Sequence, residues 1–167
     1  MLYTSAETAK ILRKLNEDVE ELYAQETQRN TFIVASGEDA ESLRPDYDFD
    51  ATRAKINELE GKIRQVKHAL NIFNLTHKLP GFELTVDEAL VYIPQLTRAK
   101  TRLAGMQSVL PKTREKSGSQ GSIIDYRLAN FDPESAKQAY NAVSDELARV
   151  QTALDVLNST EKLELEL

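Results

Sequence analysis

The chain has no cysteine, only two histidines, and no apolar run longer than the five residues 89–93. Without cysteine there is no disulfide framework, no thiolate nucleophile and no thiolate-held metal, a composition that fits a reducing compartment. The longest apolar run falls far short of the roughly 20 residues that a membrane-spanning helix needs. A dense basic face is also missing: 21 Lys and Arg stand against 27 acids, a net charge of −6. That balance argues against a general nucleic-acid binder. The opening residues, Met1 to Glu7, lack the basic and apolar regions of a secretory signal. With 6 Gly, 5 Pro, 41% apolar and 29% charged residues, the chain reads as neither fibrous nor disordered. The expectation is a cytoplasmic protein forming one helical-bundle domain over 1–167, long enough to bury its own core.

What the sequence does have is heptad rhythm. Ile56, Leu59, Ile63, Val66, Leu70 and Phe73 follow alternating steps of three and four. So do Ala136, Tyr140, Val143, Leu147, Val150, Leu154 and Leu157. Such steps hold side chains on one stripe of an α-helix, where they seat into a facing helix. Leu12, Leu15, Val19 and Leu22 give a shorter stripe near the N-terminus, and Ala89, Ile93, Leu96, Leu103 and Leu110 a fourth. Lys100 and Gln107 fall on the seam of the fourth, the least apolar of the set.

Punctuation sets the boundaries. Thr4 with Glu7, and Thr85 with Glu88, have capping-box spacing. Asp48 is placed to N-cap a helix, with Asp50 near the positive end of its dipole. Asp132 followed by Pro133 is an N-cap with proline at the first helical position. Long helices are therefore predicted near 5–30, 49–75, 86–110 and 133–158, with Pro94 kinking the third near Leu90. Thr31 to Val34 is a β-rich run, and Ile124, Tyr126 and Leu128 alternate with Asp125 and Arg127 as in a strand. The C-terminal Leu163-Glu164-Leu165-Glu166-Leu167 reads as a frayed tail or a short edge strand. The predicted class is mainly all-α. Its architecture is an up-down-up-down four-helix bundle with a two-stranded ribbon at one pole, pairing 32–34 with 124–128.

No motif supplies chemistry. Asp46-Tyr47-Asp48-Phe49-Asp50 imitates the start of a calcium loop, but Ala51 and Asn57 stand where that loop needs Gly and Glu. A di-iron bundle needs Glu-x-x-His pairs; His68 follows Gln65 and His77 follows Asn74. Gly118-Ser119-Gln120-Gly121 lies in neither a nucleophile elbow nor a phosphate loop and reads as part of a flexible linker over 111–122. Lys112, Arg114 and Lys116 form a basic cluster with no aromatic close by in sequence, suited to a solvated loop or an acidic partner such as the chain's own 38–50 segment. Ala54 and Gly61 lie one heptad apart on a helix flank. The glycine costs roughly 1 kcal/mol of helix propensity, which close packing within the chain or against another subunit could offset. No catalytic, cofactor-binding or metal-ligating residue is assigned.

The order of elements resembles a family of small bacterial all-helical proteins of unknown function, some labelled septicolysin. The likeness rests on the heptad N-terminal helix, the acidic 37–50 connection, and Ile72-Phe73-Asn74-Leu75-Thr76. It rests also on Leu84-Thr85-Val86-Asp87-Glu88-Ala89-Leu90 and, loosely, on 147–158. The chain departs from the pattern at Pro94 and at Ser159, where the family tends to have Trp. The label hints at a lysin, but no segment here resembles a membrane-inserting one, and no functional residue carries over.

The resulting expectation is a non-enzymatic interaction protein that self-associates through its helices. Its motivation is the apolar flank of Ala54, Gly61, Ala139, Ala142, Ala153 and Val156. The alternative is an enzyme or ligand binder with a pocket at the strand-bearing pole, using Tyr126, Arg127 and nearby acids. A weaker alternative is a membrane-active protein.

Overall fold

The computed structural model describes residues 1–115 and 124–166. In chain order the elements are β1 (Leu2–Thr4), α1 (Ser5–Arg29), α2 (Ala40–Leu43), α3 (Phe49–Thr76), α4 (Val86–Gln107), β2 (Lys112–Arg114), β3 (Tyr126–Leu128), α5 (Pro133–Thr160) and β4 (Lys162–Glu164). The described residues are mostly helical and form two compact units: Met1–Thr76 with Asn158–Leu167, and His77–Leu157.

In the first unit α1 and α3 make an antiparallel hairpin. Their contacts descend one helix as they climb the other: the Tyr47 hydroxyl donates to Glu26 at 2.9 Å and the Tyr23 hydroxyl to Glu60 at 2.8 Å. Val19, Leu22, Ile56, Val66 and Phe73 are buried in this unit. The far end is closed by β1 and β4, antiparallel with Leu2 opposite Glu164 and Thr4 opposite Lys162. Leu163 and Leu165 turn inward from the strand and its extension while Lys162, Glu164 and Glu166 stay outside, the period-two pattern of a half-buried strand.

In the second unit Lys100 of α4 lies 5.9 Å from the Tyr140 ring of α5, and Phe82, just before α4, meets Arg149 farther along α5, an antiparallel order of contacts. Leu79, Val86, Ala89, Leu96, Leu147, Val150 and Leu157 are buried. The ammonium of Lys100 over Tyr140 explains how a cation sits on the seam of α4: its stem covers apolar surface while its charge faces a ring.

The caps form as the sequence predicts. Thr4 accepts from the Glu7 backbone N–H at 3.1 Å while Glu7 accepts from the Thr4 N–H at 2.8 Å. Thr85 and Glu88 do the same at 3.2 and 2.7 Å. Asp48 accepts from the Ala51 N–H at 2.9 Å, and Asp132 from those of Glu134 and Ser135.

Three expectations need correction. The 31–34 run is not a strand, and β3 pairs instead with β2, Lys112 opposite Leu128 and Arg114 opposite Tyr126. Closing a local hairpin costs less chain entropy than recruiting a segment about 90 residues away. The third long helix stops at Gln107 rather than near 110, leaving Leu110 exposed. Pro111 disfavours helical geometry in the residue before it, and the Val109 N–H already turns back to the Met106 carbonyl at 3.1 Å. Finally, Leu59 and Ile63 are half-buried, so they edge the core rather than fill it. Pro94 lies inside α4, which continues through it.

Phe73, only 2% exposed, anchors the first unit. Phe73→Ala should cost about 3–5 kcal/mol, and half-buried Ile63→Ala distinctly less, read as denaturant midpoints.

Hydrogen bonds from the Thr4 and Thr85 backbones hold the carboxyls of Glu7 and Glu88 below their ordinary range. A carboxyl whose folded pKa is depressed adds stability above its unfolded value and loses it as pH falls through the folded one. Thermal melts should therefore drop as pH is lowered through and below about 4.3. Glu88→Gln should flatten that dependence, and an unchanged slope in this variant would count against the cap.

Candidate functional site

A concavity among the described residues lies against one face of α5. Helical spacing brings Ala148, Thr152 and Val156 into one row and Arg149 and Ala153 into the next. The turn at Pro80-Gly81-Phe82 forms the opposite wall of a groove of about 460 Å³. That turn is held firmly. Leu79, 2% exposed, donates its N–H to the Leu84 carbonyl at 2.9 Å, and the Phe82 N–H returns to the Leu79 carbonyl at 3.0 Å. Gly81 sits at φ 77°, a left-handed conformation that costs other residues roughly 1–2 kcal/mol.

The groove is apolar apart from Thr152 and Arg149. The Arg149 guanidinium lies 5.4 Å from the Phe82 ring centroid and pairs with Glu146 at 3.3 Å. No carboxylate, imidazole or amine lines it, so it offers no general base and no metal ligand. It can hold an apolar side chain or a flat ring, with the cation-bearing wall beside it.

The residues singled out in the sequence are not gathered there. Tyr126 and Arg127 lie on the exposed β2–β3 ribbon: Lys112 stands 4.0 Å over the Tyr126 ring, and Arg127 pairs with Glu115. Both are engaged locally, and neither lines the groove. Asp48 is spent on its cap, and His68 is exposed on α3. Lys116 and Gly118-Ser119-Gln120-Gly121 lie outside the described residues. Among the described residues no group of three or more His, Asp or Glu could hold a metal, and no helix is long and apolar enough to cross a membrane. Of the flank residues, Ala54, Ala142 and Val156 are exposed, Gly61 and Ala139 half-buried, and Ala153 buried. The groove itself was not foreseen, although Ala148-x3-Thr152-x3-Val156 beside a Pro-Gly-Phe turn is the pattern that makes it.

No family model and no curated protein matches this sequence. A crystal structure described as a functionally unknown conserved protein from Corynebacterium diphtheriae is similar in fold, with a TM-score of 0.63. The match covers 98% of this chain and 100% of that one at 16% identity, a level that shows the fold alone.

The two helix-flank and turn glycines should respond oppositely to alanine. Gly81→Ala forces a side chain into the left-handed region and should destabilise by about 1–2 kcal/mol. A methyl at Gly61 meets nothing nearer than the Arg64 Nη2 at 3.8 Å, so Gly61→Ala should stabilise by about 0.5–1 kcal/mol. Chemical denaturation of both variants checks the pair; destabilisation by Gly61→Ala would mean that the chain needs that glycine internally.

Proposed function

We propose that this chain is a non-enzymatic interaction protein that acts by associating with further copies of itself through its helices. The observation that carries the reading is the groove beside α5. It is apolar, walled by a rigid turn and free of titratable groups suited to chemistry, and Val156 at its edge is 47% exposed. Apolar surface of this kind marks an interface more often than a catalytic centre. Gly61 adds support: an added Cβ would meet only the flexible Arg64 side chain, at 3.8 Å. No tight packing within the described residues therefore accounts for the loss of helix propensity, and a second helix could. An up-down-up-down bundle of the four long helices, coiled-coil packing, a cytoplasmic location, the lack of nucleic-acid binding and kinship with the septicolysin-labelled family belong to the same proposal.

A second reading has one observation in its favour. A volume of about 460 Å³ lies within the 300–1,000 Å³ typical of small-ligand pockets, so the groove is large enough for an aromatic or aliphatic ligand. The scarcity of converging polar groups speaks for contact over ligand recognition.

Sedimentation equilibrium separates the two readings. Self-association predicts a mass that is a multiple of 18.8 kDa, with a contact burying more than about 1,000 Å². Val156→Asp should weaken it by placing a charge in the groove. A chain that stays monomeric at every practical concentration contradicts the proposal and favours the ligand binder.

A further inference from the structure

Charge is divided unevenly along this chain. The first unit holds 17 acids and 11 Lys or Arg, whereas the second holds 10 of each. Within the second, the segment from Ala89 to Arg114 contains no acid and five cations: Arg98, Lys100, Arg102, Lys112 and Arg114. Lys100 is turned to Tyr140 and Lys112 to Tyr126. Arg98 and Arg102 are different: both are exposed, and among the described residues neither has an ion-pair or hydrogen-bond partner.

These two arginines are one helical turn apart, where like charges repel and destabilise the helix. They lie too far from its C-terminus to be repaid by the dipole, which acts within the last turn. With Gln95 and Ala99 they border a shallow cleft of about 390 Å³. Val91, Gln95, Arg98 and Arg102 are all exposed and follow steps of four, three and four, a second heptad stripe on the outer side of α4.

An opposite stripe exists on the other unit. Glu17, Glu21, Ala24 and Gln28 are exposed on α1 at steps of four, three and four, and Glu17 and Glu21 are again one turn apart. Glu17 pairs with Arg13 at 3.5 Å and Glu21 accepts from the Gln25 amide at 3.2 Å, both at the surface, and Lys14 lies near enough to feel both charges. Laid antiparallel, the two stripes match position for position, with Arg98 opposite Glu21 and Arg102 opposite Glu17.

We propose that α4 of one copy docks by this Arg98–Arg102 stripe onto the Glu17–Glu21 stripe of α1 in a second copy. The inference rests on the self-association reading and adds a charged contact, separate from the apolar groove beside α5. Each stripe carries a like-charge pair that the opposite stripe neutralises, and the matched heptad spacing supplies the register. Opposed charges at such positions choose partner and orientation, as they do in coiled coils.

Charge reversal on each face, followed by mixing, tests it by sedimentation equilibrium. R98E/R102E alone and E17K/E21K alone should each associate at least about tenfold more weakly than the parent chain, since like charges then face each other. An equimolar mixture of the two should recover association, because both contacts between unlike chains again join opposite charges. The parent should dissociate on raising salt to about 0.5 M. Reversed variants as tightly associated as the parent, or a mixture no heavier than its components, would overturn the contact while leaving self-association standing. A monomeric parent would overturn both. Should circular dichroism show a reversed chain losing helicity, R98Q/R102Q and E17Q/E21Q replace it: each must weaken association, and unchanged association in both refutes the contact.

Discussion

Each long helix of this protein has one apolar stripe and cannot leave it in water. Helices of 22 to 28 residues with charged outer faces gain little from propensity alone and draw their stability from covering that stripe. The chain meets the demand locally and twice. Val19 and Leu22 share a unit with Ile56, Val66 and Phe73; Ala89 and Leu96 share another with Leu147, Val150 and Leu157. In the first unit the connection over 30–48 is long enough to let α3 return antiparallel beside α1.

Polar groups then fix where these helices begin and what closes their ends. Two capping boxes satisfy the first N–H groups of α1 and α4, and Asp48 and Asp132 do so for α3 and α5. Each unit carries one small antiparallel ribbon, β1 with β4 and β2 with β3. A two-stranded ribbon is marginal by itself. The first is supported by burial of Leu163 and Leu165, and the second is held by its hairpin topology and by surface contacts such as Lys112 over Tyr126.

Helix positions were legible in the sequence because period and caps agree. Thr4, Asp48, Thr85 and Asp132 mark starts that the structure reproduces, and the heptads mark the buried faces. Strand pairing was less legible, since alternation at Ile124, Tyr126 and Leu128 says that a strand exists without saying which backbone it meets. The 31–34 run was a β-rich composition without a partner, and Leu2–Thr4 was too short for any period to register. The groove escaped for another reason. It is made by residues 80–82 and 148–156, far apart in sequence, whose individual signals read as a turn and as an ordinary helix flank. The outward arginines of α4 became informative only when the structure showed that Lys100 has a ring to face while, among the described residues, Arg98 and Arg102 have none.

Stripe-to-stripe burial within a hairpin is the claim on which the rest stands, and native-state hydrogen exchange tests it directly in the first unit. If α1 and α3 are stable only through each other, the amides around Val19 and Leu22 and those around Ile56 and Val66 should exchange through one shared opening, with matching protection and matching response to denaturant. Protection of α3 that persists while α1 exchanges freely would contradict the account.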